Sequence, residues 1–266
     1  MKTNLLFTLT FIFFTGLSYS QTSIATIESE MVLVEGGSMN LQGRLVTLPS
    51  YYCSKYEVTQ RLFEEVMGYN PINISQLINP LMPMIANRKW DYFFSNNDFL
   101  IFCNELNGLL HLPMVYYKDK ELNIPLTLKD TGQVISSFMD FNSSGYRLPI
   151  GVEWEYAARG GQKSQNFAYS GSNNYSDVAV FGSPQVVGIL KPNELGIYNM
   201  TGNASELAFD TYPADGGDCS LKLVWVGGGG AFQSRGASFV YFTGPNNLYD
   251  FHLYGADGIR LFKNKL

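Results

Sequence analysis

The chain has 266 residues, of which 45% are apolar and 15% charged, enough apolar material for a sizeable core and too little charge for gross disorder. Lys and Arg number 18 against 23 Asp and Glu, a net charge of −5 with no basic cluster, so a nucleic-acid footprint is absent. The 2 histidines, His111 and His252, cannot build a three-histidine iron or zinc centre.

In chain order, Lys2 is followed by the apolar pieces Leu5-Leu6-Phe7 and Phe11-Ile12-Phe13-Phe14 and then by Ser18-Tyr19-Ser20. A charged start, a short apolar stretch and a small-residue site read as a secretory signal peptide over 1–20, cut after Ser20. The stretch is too short and too broken by Thr to span a membrane well, and no later run reaches that length. Residues 21–30 form a short extension, and 31–266 read as one domain with no linker, charge block or repeat. The chain is therefore expected to be exported, to the periplasm, the cell surface or the medium.

Met31 to Val34 reads as a strand closed by Gly36-Gly37. Val46 to Tyr52 and Val224 to Val226 are two more strand candidates. Three segments have helical periodicity. The first starts after Thr59 as N-cap, carries Leu62, Phe63, Val66 and Met67, and stops at Gly68. The second starts near Ser95 or Asn97, carries Phe99, Phe102, Cys103 and Leu106, and stops at Gly108. The third follows Pro149, carries Val152, Trp154, Ala157 and Ala158, and stops at Gly160-Gly161. The region Leu110 to Asn142 reads as an excursion with a hairpin around Lys118-Asp119-Lys120. Few helices among many short strands and loops give an α+β class of low regularity. The chain's 3 cysteines, Cys53, Cys103 and Cys219, are too few for a disulfide framework. Cys103 sits on an apolar helix face and reads as a core thiol.

Seven pieces then occur in order: Glu57-Val58-Thr59-Gln60, Met67-Gly68-Tyr69-Asn70-Pro71, Phe102-Cys103-Asn104, Tyr146-Arg147-Leu148-Pro149, Glu153 to Gly161, Pro192 to Asn203, and Gly258-Ile259-Arg260-Leu261. Together they resemble the formylglycine-generating enzyme (sulfatase-modifying factor) superfamily over about Met31 to Phe262. The resemblance implies a single-domain formylglycine-generating-enzyme fold, a C-type lectin-like variant. Within it, Arg147, Arg159, Glu153 and Glu155 read as a structural ion-pair network, because charges so placed must be paired when buried. The family's Thr after Arg-Leu-Pro is Ile150 here, so a helix cap is lost at a cost of about 1 kcal/mol.

The resemblance also implies a structural calcium site. Asn199 and Glu206 would bind through side chains, and Gly202 and Ala204 through carbonyls, the turn aiming oxygen ligands at a hard cation. A tight turn without an ion is the competing reading of the same residues. A second family calcium position would lie near Asp177, but the rest of its pattern is not found.

The family enzyme oxidises a substrate cysteine with oxygen and copper through two cysteines of its own, because a soft metal needs thiolates. Here the corresponding stretch is Val226 to Arg235, and no cysteine lies between it and Gly258. The family's Trp-Glu-Trp is Ser205-Glu206-Leu207. No copper and no catalytic residue are expected, and the spacing of Ser234, Asp250 and His252 does not support a triad. The sequence therefore reads as a catalytically degenerate member, a secreted non-catalytic binding or structural envelope module. The alternative is a sulfatase-modifying-factor-type oxidoreductase with an altered active site. A protein, peptide or glycan would bind at a loop face, which Phe167 to Tyr175 and Phe239 to Tyr249 could line with aromatics and amides.

Overall fold

A computed structural model describes residues 23–41, 44–72, 78–85, 97–133, 135–213, 219–226 and 257–266. The signal-like segment 1–20, the glycine run from Gly227, and Ser234, Phe239 to Tyr249, Asp250 and His252 lie outside these residues.

The elements, in chain order, begin with strands β1 (Met31–Val34), β2 (Gly37–Leu41), β3 (Arg44–Leu48) and β4 (Tyr51–Ser54). Helices α1 (Gln60–Met67) and α2 (Asn97–Leu109) follow, then strands β5 (Tyr116–Tyr117), β6 (Phe138–Met139) and β7 (Tyr146–Arg147). Helix α3 (Gly151–Ala158) precedes β8 (Ala179–Val180), β9 (Thr201–Gly202), β10 (Ser205–Pro213), β11 (Cys219–Val226), β12 (Asp257–Gly258) and β13 (Phe262–Asn264). Short strands thus alternate with three helices, and the α+β class holds. A four-stranded sheet runs β1-β4-β13-β7 and a three-stranded one β11-β10-β12. Three two-stranded ribbons, β2-β3, β5-β6 and β8-β9, complete the strand set among the described residues.

The helices start and stop for local reasons. Thr59 Oγ1 accepts the Leu62 N–H at 3.2 Å, and Gly68 closes α1 in the left-handed region at φ 77°. Helix α2 runs one residue past the expected stop at Gly108, and the chain turns at His111 with φ 56°. Helix α3 has Ile150 at its N-cap with no side-chain cap bond, as the missing Thr requires. Glu153 repairs half of the loss, its Oε2 accepting the Ile150 N–H at 3.0 Å.

One strand candidate is corrected. The run Val46 to Tyr52 is two strands, because Pro49 carries no N–H and the chain turns at Pro49-Ser50. Ser50 Oγ accepts the Gly36 N–H at 2.9 Å, and a β-carbon on Gly36 would lie 2.6 Å from the Leu48 carbonyl oxygen. That close crossing is what Gly36 permits. The excursion after Leu110 does fold back at Lys118-Asp119-Lys120, with Lys118 N–H donating to Ile124 at 2.7 Å. Its paired strands are more distant, β5 with β6. Asn104 on α2 anchors it, accepting Val115 and Tyr116 N–H groups at 3.0 Å each.

Among the described residues two large apolar clusters fill the interior, beside a small third one of Ile85 and Ala204. One joins α1 and α2 to Tyr146, Leu148, Leu207 and Leu261, with Phe63 stacked on Phe102 at 5.3 Å. The other joins β4 and α3 through Tyr51, Cys53, Trp154, Ala157 and Phe262. Between them lies the polar seam that holds the site.

Candidate functional site: the turn from Asn199 to Glu206

β9 ends in a turn that feeds directly into β10. Three residues around it need the left-handed region: Asn199 before β9 at φ 58°, Gly202 at the end of β9 at φ 80° and Asn203 in the turn at φ 64°. Asn tolerates this conformation better than most side chains, and Gly202 has a second reason. A β-carbon there would sit 2.4 Å from the Val180 carbonyl oxygen of β8. The turn is thereby pressed against the β8 backbone, and Asn203 N–H bonds Val180 at 2.9 Å.

The polar side chains of the turn are buried and almost all committed. Asn203 Oδ1 accepts the Gln185 N–H at 2.8 Å, while its Nδ2 donates to Glu57 Oε2 at 2.9 Å. Ala204 N–H donates to the other oxygen of Glu57 at 3.1 Å. Glu57, from the loop before α1, is thus a two-oxygen clamp on the turn. Glu206 takes the guanidinium of Arg260, with Nη2 to Oε1 at 2.7 Å, and the indole N–H of Trp154 on Oε2 at 2.5 Å. Arg260 also donates to the carbonyls of Ser54 and Tyr198 at 3.0 and 2.8 Å. The exposures of Glu57, Glu206 and Arg260 are 0%, 1% and 0%.

The charges explain one another. Burial pushes Glu57 up to about 8; Arg260 and the two N–H donors oppose this, and the charge of Glu206 adds to it. When both carboxylates are ionised, two negative charges face one positive charge in a dry interior.

The four residues expected to hold calcium are therefore brought together around one turn. Asn199 Oδ1 accepts the Gly188 N–H at 2.9 Å, which leaves a lone pair, and Asn199 Nδ2 is buried without a partner among the described residues. The about four lone-pair positions of Glu206 are all engaged, by Arg260 Nη2 on Oε1, by Trp154 Nε1 on Oε2, and by the Arg260 Nε–H shared between both oxygens. A cation at Glu206 would have to take one of the two oxygens that the Arg260 Nε–H now shares. Glu57, Trp154 and Arg260 belong to the family-like pieces of the sequence, and nothing in those pieces assigns them to this site. The signal that marks Glu57 and Arg260 is a charge set between apolar neighbours, Tyr56-Glu57-Val58 and Ile259-Arg260-Leu261, since such charges must find partners when buried.

The expected ion pairs around α3 are present. Arg147 and Glu153 form a buried pair with 2.7 Å bonds to both carboxylate oxygens, and Arg159 reaches Glu155 at 2.7 Å. Cys53 and Cys103 are free, fully buried and in different clusters, and burial pushes both thiols well up. Neither is a ready thiolate. The side chain of Cys219 lies outside the described residues.

This mixed, low-regularity fold is shared with solved structures. CarF matches with a TM-score of 0.63 at 21% identity, covering 89% of this chain and 98% of that one. Treponema denticola variable protein 1 matches with a TM-score of 0.63 at 22% identity, covering 88% and 95%. The chain belongs to the sulfatase-modifying factor enzyme 1-like domain family, which matches residues 19–265. A relative from Paenibacillus barcinonensis, named chaperone protein LppX, is 32% identical over 280 residues, covering 94% of this chain and 95% of its own. No helix among the described residues is long and apolar enough to cross a membrane.

Proposed function

We propose that this chain is an exported, non-catalytic binding module built on the sulfatase-modifying-factor domain. The observation that carries the reading is the distribution of sulfur. No cysteine follows Cys219 in the sequence, and Cys53 and Cys103 are sealed in separate clusters. Oxygen chemistry of the family type needs a pair of accessible thiolates on one metal. The name of the Paenibacillus relative, a chaperone protein, supports a role in holding another molecule rather than converting it. The test is incubation of the purified protein with a Cys-x-Pro-x-Arg peptide, copper and oxygen, followed by mass spectrometry. An unchanged peptide is expected, and conversion of the thiol to an aldehyde overturns the reading. Export is tested by N-terminal sequencing of the processed protein, which is expected to begin at Gln21.

The calcium reading belongs to the same proposal. Asn199 and Glu206 would hold the ion through side chains, and Gly202 and Ala204 through carbonyls. A bound calcium supplies positive charge against Glu57 and Glu206 and fixes the turn. Calcium is expected to co-purify, and EDTA to lower the melting temperature by an amount that added calcium restores. An unchanged melting temperature with no metal in the preparation overturns it.

A further inference from the structure

A small polar cleft opens beyond the C-terminal end of α3, and none of the four expected calcium ligands lines it. It is lined by Arg159, Ser164, Asn166, Phe167, Tyr169 and Glu194, with a volume of about 90 Å3. Glu194 sits on Gly160, where a β-carbon would come within 2.9 Å of its Oε2. Its Oε1 accepts the Gln165 N–H at 2.9 Å, and its Oε2 is buried with no hydrogen-bond partner among the described residues. An unsatisfied carboxylate oxygen in such a place is costly, and it calls for a donor. Across the cleft, Arg159 pairs with Glu155, yet its side chain remains 47% exposed.

From the cleft a line of rings runs outward. Tyr169 meets Tyr175 edge to face at 6.2 Å, and Tyr175 meets Phe181 at 6.2 Å. Tyr175 is 53% exposed, a large ring left at the surface beside Asn173 and Asn174.

We infer that this cleft and its aromatic shelf bind a neutral saccharide, which deepens the binding-module reading above and rests on it. The carboxylate excludes an anion, and a cation would find only one open carboxylate oxygen, since Glu155 is taken by Arg159. Vicinal hydroxyls suit the site, one donating to the open Glu194 oxygen and its neighbour lying against the exposed side of the paired Arg159 head. The cleft is far smaller than the roughly 300–1,000 Å3 of a pocket that engulfs its ligand. It therefore admits the hydroxyl edge of a ring, whose C–H face then lies on the exposed Tyr175. A protein ligand would want a dry pit for an aromatic or arginine anchor, and this polar lining offers none.

Saturation-transfer NMR on the full chain tests the assignment, with mannotriose as the neutral probe, a hyaluronan tetrasaccharide as the acidic one and a glutamine-rich peptide as competitor. Saturable binding of mannotriose is expected, weakened about tenfold by Glu194→Gln and by Tyr175→Ala and kept by Tyr175→Phe. Thermal melts establish that each variant is folded. If Glu194→Gln does not fold, the exposed Tyr175 pair decides alone. No saturable mannotriose signal, equal binding by the parent and Tyr175→Ala, stronger binding of the acidic probe, or displacement by the peptide overturns the inference. Those outcomes leave the non-catalytic reading to the peptide-oxidation assay, which decides it separately.

Discussion

Arg260 is fully buried and bonds a carboxylate and two carbonyls, so its loss strands a charge. Replacing one member of a buried pair typically costs about 3–5 kcal/mol, because the partner cannot regain water. Arg260→Met is therefore expected to lower the urea midpoint severely. Lys191→Met, which removes an exposed partner of Asp177 at 3.3 Å, is expected to cost less than about 1 kcal/mol. Glu57 adds a pH signature. Its carboxyl ionises near 4.5 in the unfolded chain but only at about 8 in the folded one. Through that window the folded state binds more protons, so this residue makes stability fall as pH rises. Denaturation of Glu57→Gln at about pH 5 and about pH 8 is expected to show a smaller loss across the interval than the parent, and an equal loss would sink the argument. The resemblance groups Asn199, Gly202, Ala204 and Glu206 as ion ligands, and the chain carries them from just before β9 to the start of β10. The sequence hid the clamp, because Glu57 lies 146 residues before Asn203 and no spacing rule spans that distance.

Local chemistry decides the helices, and there the sequence was legible: Thr59, Gly68 and Pro149 mark their ends as written. Long-range contacts decide the strands, and there it was not. β5 pairs with the distant β6 as well as bridging to nearby Pro125, and Asn104 on α2 fixes Val115 and Tyr116 for both. The register of β13 between β4 and β7 leaves no local mark either. The start of α3 allows a clean measurement. Ile150 packs partly on the core, so a direct exchange to Thr mixes cap and packing. Val and Thr have nearly the same shape, so Ile150→Thr against Ile150→Val isolates the cap. With Glu153 already bonded to the residue 150 N–H, the Thr variant is expected to be more stable by about 1 kcal/mol in urea denaturation. Equal stability would show that the backbone there does not admit a capping hydroxyl.

The whole molecule is closed by its last strand. β13 inserts between β4, from the first quarter of the chain, and β7, from the middle, pairing Phe262 with Cys53 on one side and Arg147 on the other. Phe262 is fully buried against Tyr51, with ring centroids 5.5 Å apart. Asn264 accepts from Arg147 Nη2 at 2.6 Å and donates to the carbonyls of Phe141 and Ser143 at 2.8 and 2.9 Å. Lys263 reaches back to Glu28, whose carboxylate also takes the Tyr146 hydroxyl, so the residues before β1 are tied to the same strand. Removing residues 262–266 thus deletes the bridge between two parts of the sheet and exposes the faces of both. Burial of one large aromatic ring contributes about 3 kcal/mol, and the lost hydrogen bonds and sheet pairing add to that. Against a stability of about 5–15 kcal/mol for an ordinary domain, the truncated chain is expected to lose its cooperative thermal transition. A tag fused after Leu266, which is 86% exposed, is expected to leave the transition in place. A truncated chain that melts like the parent would show that β13 is an accessory to the sheet rather than its closure.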